Sequence, residues 1–185
     1  MRIHGRGGQG SFVAAQILAI AGLKEGYYVQ ASLHIRGGGD RRGAPVFAYV
    51  RMNKKKIREK TTVLNPDYII VQDITLFETV DVLAGLKPNG MVLINTERKP
   101  EELELGIKKT SIKTVPASKI ALEVTGSPIT STTILGAFAA IMKEKGISVS
   151  VENIKKAIIE RFPGKLGVIN AEAAQKAYEY MEARI

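Results

Sequence analysis

The chain has 185 residues, 45% hydrophobic and 24% charged, with a formal net charge of +9. This composition suits one globular domain over 1–185 and excludes a disordered tail, a collagen-like repeat and a coiled coil. The whole charge imbalance lies in residues 1–66, with 12 basic and 3 acidic side chains, whereas residues 67–185 hold 15 of each. A localised basic region suits nucleic acid, a membrane surface, a phosphate-bearing small molecule or an acidic protein partner. There is no cysteine. The chain therefore carries no disulfide, thiolate metal site, iron–sulfur cluster or cysteine nucleophile of its own, which is compatible with a reducing, cytoplasmic setting.

Met1–His4 predicts a brief strand. The glycine-rich loop Gly5-Arg6-Gly7-Gly8-Gln9-Gly10 follows, then a helix over Gln9–Lys24 that is apolar nearly all round and hence central. Phe12–Leu23 imitates a signal peptide, with Arg2 and Arg6 ahead of it and Ala19-Ile20-Ala21 as a mock cleavage site. The run is too short for the ~20 residues of a membrane span. The loop glycines also crowd the supposed basic region in a phosphate-loop spacing, so a buried helix is the better reading. Tyr27–Ser32 predicts a second strand, completing the opening of a doubly wound α/β sheet.

Residues 33–43 hold four glycines and no helical period, and predict a loop. Ala44–Arg51 predicts a strand, Asn53-Lys54 a turn and Lys55–Thr61 a return strand. That antiparallel hairpin would make the sheet mixed, though mostly parallel. Tyr68–Val71 predicts a buried strand, Leu76–Leu86 a helix, Met91–Ile94 and Lys108–Val115 two more strands, and Ser118–Val124 a short helix. The last third reads as helical: Thr132–Glu144, a helix capped by Ser150, and a final helix capped by Asn170 with Ala173, Ala177 and Tyr180 facing inward.

Gly5–Gly10 fits G-x-G-x-x-G at a strand-to-helix turn. Glycine there permits positive φ and lets backbone N–H groups approach an anion at a helix N-terminus. NAD is disfavoured, because the second predicted strand, Tyr27–Ser32, carries no acid for the ribose hydroxyls. Arg36, Arg41 or Arg42 leaves a 2′-phosphate open, so a stand-alone NADP-binding reductase is an alternative. A basic RNA-binding module is a weaker one, since no recognised binding motif interleaves with the charges. Arg41 and Arg42 offer forked guanidiniums for phosphate or carboxylate. Lys54-Lys55-Lys56 with Arg58 and Lys60 is either solvated edge protection or a dock for an acidic partner. Ser127–Thr133 offers hydroxyls that either cap the following helix or bind a ligand with its N-terminus. Asp73 is either a ligand-binding carboxylate or an N-cap. With two histidines and no cluster of metal ligands, the chain offers no catalytic residue and no metal site.

The loop at 5–10 resembles the opening of the gamma subunit of 2-oxoacid:ferredoxin oxidoreductases, the pyruvate and 2-ketoisovalerate enzymes among them. The resemblance continues in Arg41-Arg42-Gly43-Ala44-Pro45, Pro66-Asp67-Tyr68 through Val71-Gln72-Asp73, and Asn95-Thr96-Glu97. It runs on through Lys119-Ile120-Ala121, Pro128-Ile129 and Leu135-Gly136-Ala137, in order from residue 4 to about 180. It implies a Rossmann-like fold in a subunit of an enzyme that makes acyl-CoA, CO2 and reduced ferredoxin from a 2-oxoacid. Thiamine diphosphate and iron–sulfur clusters would sit on alpha, beta and delta-type partner subunits. This chain would contribute a surface facing coenzyme A, drawn from Gly5, Arg6, Gly7, Gly8, Gln9, Gly10, Arg41, Arg42, Ser131 and Thr132. The family often has Asn where Ser131 stands, and the stretch 35–40 departs from the usual loop.

Overall fold

The computed structural model describes residues 1–35, 42–147 and 149–185. The strands are β1 (Arg2–Arg6), β2 (Tyr28–Ile35), β3 (Pro45–Asn53), β4 (Tyr68–Val71), β5 (Met91–Asn95) and β6 (Ile112–Val115). The helices are α1 (Ser11–Lys24), α2 (Ala117–Thr125), α3 (Thr133–Glu144), α4 (Val151–Arg161) and α5 (Lys165–Glu182). The sheet order is β2-β3-β1-β4-β5-β6. From β1 to β6 the pairs are parallel, while β3 lies antiparallel between β1 and β2. The α/β class, the mixed and mostly parallel sheet and the helical last third are as the sequence predicts.

The antiparallel hairpin is present, but from other segments than expected. β2 and β3 pair from Tyr28 with Asn53 to Ile35 with Val46. Residues 33–35, expected in the loop, therefore belong to a strand. The predicted return strand Lys55–Thr61 does not form. Both edges of β3 are already occupied, by β2 on one side and by β1 along Pro45–Tyr49 on the other. The loop expectation for 36–41 lies outside the described residues.

The helices share one face of the sheet. Ile3, Ala48, Val50, Ile70, Leu93 and Val115 point into a single apolar cluster with α1 to α5. The alternate residues Ile69, Val71, Val92, Ile94 and Ile112 pack on Leu76, Val82 and Leu103 across the other face. Among the described residues that second layer contains no α-helix. The expected helix at Leu76–Leu86 is a 3-10 turn over Ile74–Glu78 followed by turns. Thr79 and Val80 are branched at Cβ, and Gly85 sits at φ 71 with the Leu64 carbonyl pressed where its Cβ would be.

α3 is buried from Thr133 to Met142 and lies along α5. Gly136 makes this possible, since a Cβ there would overlap the carbonyl oxygen of Ala174. Ser150 caps α4 as predicted, accepting from Asn153 N–H at 3.3 Å. The same turn is tied to the end of α1, where a Glu25 carboxylate oxygen accepts from Ser150 N–H, Ser150 Oγ and Asn153 Nδ2. Asn170 is not a cap. α5 begins at Lys165 after Gly164, so Asn170 lies within its second turn and its Nδ2 donates to Leu166 O at 2.8 Å.

Candidate functional site

β1 and β4 are parallel neighbours, and the chain leaves their carboxyl ends toward opposite halves of the sheet. In an open α/β sheet such a point forms a crevice that receives ligands. The 5–10 loop leaves β1 there, and Gln72-Asp73 leaves β4. Gly5 is buried, and a Cβ on it would strike Ser11 Oγ and Gln72 Oε1. Ser11 Oγ donates to Gln72 Oε1 at 2.6 Å, and Gln72 N–H donates to His4 O at 2.9 Å. Gln9 closes the loop on itself: its Oε1 accepts from Arg6 N–H at 2.8 Å and its Nε2 donates to Asp73 Oδ2 at 3.3 Å.

Gly10 caps α1 at φ 75, a left-handed conformation that suits glycine, and offers no side-chain cap. The helix therefore starts at Ser11, two residues later than predicted, with its first N–H groups toward the crevice. A Cβ on Gly10 would lie 2.9 Å from Ser131 Cβ and 3.0 Å from Ser131 Oγ. The N-terminus of α3 thus meets that of α1. It too lacks a side-chain cap: Thr132 is in a helical rather than an extended conformation, φ −93 and ψ −46, and its hydroxyl donates to Asn170 Oδ1 at 2.8 Å. Neither N-terminus has a side-chain cap, and in α3 the Ile134 and Leu135 N–H groups already donate to Thr130 O and Thr132 O, so the partial positive charge that would attract an anion lies mainly on the first N–H groups of α1.

The structure brings together Gly5, Gly7, Gly8, Gln9, Gly10 and Ser131. Gly7 bridges to Arg42, and a Cβ on Gly8 would lie 3.7 Å from Arg42 Cγ, with Arg42 itself exposed. Thr132 is close in the chain but its hydroxyl turns to Asn170, so it neither caps α3 nor faces the crevice. Arg41 lies outside the described residues. Arg6 is largely engaged within the protein. Its Nε reaches Asp73 Oδ2 at 3.0 Å, one terminal nitrogen donates to Gly43 O at 3.1 Å, and the other to Thr75 Oγ1 at 2.7 Å. Arg6 thus staples the glycine loop to the turn after β4 and to the entry into β3.

Asp73 resolves as an N-cap that also pairs with Arg6, accepting from Thr75 N–H and Thr75 Oγ. Burial works against its ionisation. The hydroxyl and backbone N–H of Thr75, the Gln9 amide and the Arg6 charge outweigh it and hold the carboxyl below the ordinary range. A depressed folded-state value means that this stabilisation is complete above the unfolded value of about 4 and is lost as acid titrates the folded carboxyl. Asp73→Asn should therefore lower stability at pH 7 by about 1–2 kcal/mol. Urea unfolding at pH 7 and pH 3 should show the gap between the two proteins closing in acid.

Sequence reasoning missed the supporting amides and hydroxyls. Asn95 Nδ2 donates to Gln72 O at 2.9 Å and to Ser118 Oγ at 2.8 Å, while its Oδ1 accepts from Ser118 N–H at 3.0 Å. That residue fixes the start of α2 against the end of β4. The position of Asn95 just past a buried strand was the available signal.

The sheet order bears on dinucleotide binding. A dinucleotide site needs the second strand beside the first, with its carboxyl end at the ribose. Here β3 is inserted between β1 and β2 and runs the opposite way. In the basic cluster after β3, Lys54 lies 3.6 Å from the centre of the Tyr27 ring, and Glu59, which interrupts the cluster, pairs with Arg51 of β3 at 3.6 Å.

The model for the family described as pyruvate ferredoxin/flavodoxin oxidoreductase matches residues 1–180. The pyruvate/ketoisovalerate oxidoreductases common subunit gamma of Thermococcus litoralis is 50% identical over 181 residues, covering 97% of this chain and 95% of that one. The crystal structure of the pyruvate oxidoreductase subunit PORC of Thermotoga maritima superposes with a TM-score of 0.77 at 34% identity, covering 96% and 93% of the two chains. The 2-oxoglutarate:ferredoxin oxidoreductase of Magnetococcus marinus, solved with 2-oxoglutarate, coenzyme A and succinyl-CoA, shares the fold at a TM-score of 0.77 and 19% identity. The match covers all of this chain and 31% of that one. A glycine loop at the β1/β4 crevice and likeness along nearly the full length agree: the chain belongs to the pyruvate ferredoxin/flavodoxin oxidoreductase family, as a gamma subunit.

Proposed function

We propose that the β1/β4 crevice is the surface this gamma subunit turns toward coenzyme A. The enclosing reaction is the oxidative decarboxylation of pyruvate or a related 2-oxoacid to acyl-CoA and CO2, with ferredoxin reduced. Coenzyme A carries three phosphate groups. The observation that carries the reading is the start of α1 at Gly10, which has no side-chain cap and meets the start of α3 at Ser131. Arg42 stands beside the Gly8 turn as a forked donor, and Arg41 precedes it in sequence. The Magnetococcus marinus enzyme that shares this fold has coenzyme A bound. Arg6 acts here as a staple for the loop, and Thr132 as a link to α5. Thiamine diphosphate and the iron–sulfur clusters belong to alpha, beta and delta-type partner subunits, consistent with a chain that has no cysteine. The setting is cytoplasmic, and among the described residues no helix is long and apolar enough to cross a membrane.

The test is calorimetry of coenzyme A binding to the assembled complex. Arg41→Ala with Arg42→Ala should weaken binding by about tenfold or more, and added salt should weaken the unaltered complex more than the variant. Equal affinity in the two complexes would remove both arginines from the site. Purification without thiamine-binding or cluster-bearing partners would remove the assembly reading altogether.

A further inference from the structure

We infer that the free edge of β2 is a docking edge, which accepts an extended strand from a partner subunit carrying acidic side chains beside that strand. The inference rests on the gamma-subunit reading and goes beyond the crevice. Among the described residues β2 pairs with β3 alone. It is eight residues long, Tyr-Val-Gln-Ala-Ser-Leu-His-Ile, and its register against β3 is continuous, without a bulge. It contains no charged residue, no proline and no glycine.

Edge strands with open N–H and C=O groups template pairing with other chains, and proteins blunt them with lysine, proline, bulges or brevity. The opposite edge follows that rule, since β6 has four residues including Lys113. β2 follows none of it. An unguarded edge of this length implies that the assembled enzyme covers it. Tyr28 and Leu33 are 52% and 38% exposed on opposite faces of the strand, and Ser32 and His34 are exposed as well. An incoming strand would lay apolar side chains beside Val29, Ala31 and Leu33, and polar or aromatic ones beside Tyr28, Ser32 and His34.

Charge selects the occupant. The Tyr28 end of the edge abuts Asn53, which is followed by Lys54, Lys55 and Lys56, all exposed. Arg42 lies three residues before β3, whose Val46 is paired with Ile35 at the other end. A second copy would set two such +9 chains side by side, whereas an acidic partner segment meets the opposite sign. Strand addition supplies affinity through the backbone, and the flanking charges set register and partner choice.

Amide hydrogen exchange on the isolated chain and on the assembled complex tests this. In the isolated chain, alternate amides of 28–35, those pointing away from β3, should exchange fast. In the complex the same amides should slow about tenfold or more. Of Gln30→Pro and Ala31→Pro, one removes an outward N–H. That variant should keep its melting temperature and lose co-purification with its partners. If the complex forms while the outward amides stay fast, the docking edge is wrong and the subunit reading stands. If the isolated chain is itself a dimer with these amides protected, the occupant is a second copy and the acidic partner is excluded. Absence of any complex would overturn the subunit reading and this inference with it.

Discussion

Gly136→Ala should leave the chain unable to hold its helical layer. The added methyl would overlap the Ala174 carbonyl, a backbone atom in the middle of α5 that cannot swing aside as a side-chain tip can. Relief requires α3 and α5 to move apart along the most extensive helix–helix contact in the molecule, beside the fully buried Phe138. Overpacking in a dense core costs about 1–3 kcal/mol and more where backbone must shift. A loss of at least 3 kcal/mol is a large part of the stability of a domain this size. Thermal melts followed by circular dichroism should show a fall in midpoint of about six to twelve degrees, or no cooperative transition. A variant that melts like the parent would mean that the two helices do not approach this closely.

Acid should destabilise the protein steeply between pH 6.5 and about 3, and His4 should be the main cause. His4 is 1% exposed and lies on the face away from the helices, edge-on to Phe47 at 4.9 Å. Its Nε2 accepts from Arg2 Nε at 2.7 Å, and its Nδ1 has no hydrogen-bond partner among the described residues. Arg2 is held in turn by the carbonyls of Val82 and Ala84. Protonation would put a second cation, and a donor in place of an acceptor, against a guanidinium that cannot retreat. Burial first, and the Arg2 charge second, push the imidazole down to about 3. The unfolded chain takes up that proton near pH 6.5, so stability is full above that value. It falls by up to about 1.4 kcal/mol per pH unit as acid approaches the folded value. His4→Gln keeps an acceptor for Arg2 and has nothing to titrate. Urea midpoints taken at half-unit steps from pH 6.5 to 5, above the range where Asp73 loses its charge, should slope for the parent and run nearly flat for the variant. Parallel slopes would place the acid sensitivity elsewhere.

The strands and most helices were legible because their apolar residues announce them. Tyr68–Val71 and Met91–Ile94 are short apolar runs between turn signals, and α3 and α4 carry helical spacing with a visible cap at Ser150. The errors have a common source in pairing that sequence does not display. Lys55–Thr61 has a plausible turn before it, yet it finds no vacant edge on β3. Leu76–Leu86 has helical apolar spacing, yet Asp73 and Gly85 fix its ends in tight turns. Asn170 has the chemistry of a cap, but Gly164 starts the helix earlier and the amide is used by Thr132. The crevice was half legible. The glycine spacing located the loop, and the hydroxyl stretch at 127–133 located its neighbour. That Arg6 would be bound by Asp73, and Thr132 by Asn170, depends on contacts across 67 and 38 positions that no local pattern encodes.

The central position of β1 also bears on the order of assembly. This strand, early in the sequence, is completed on one edge by residues 45–49 and on the other by 69–71. Until both arrive, a five-residue segment with buried Ile3 and His4 has no partner on either side. The loops that must close around it are long, and their closure entropy is met before any pairing energy returns. Folding should therefore be slow for a domain rich in helices, with α3, α4 and α5 forming readily and the sheet lagging. The crevice, which draws on residues 5–11, 72–75, 95 and 131 at once, would be the last region to become native. A chaperone or a partner subunit that engages the young chain would meet finished helices and an unfinished binding surface.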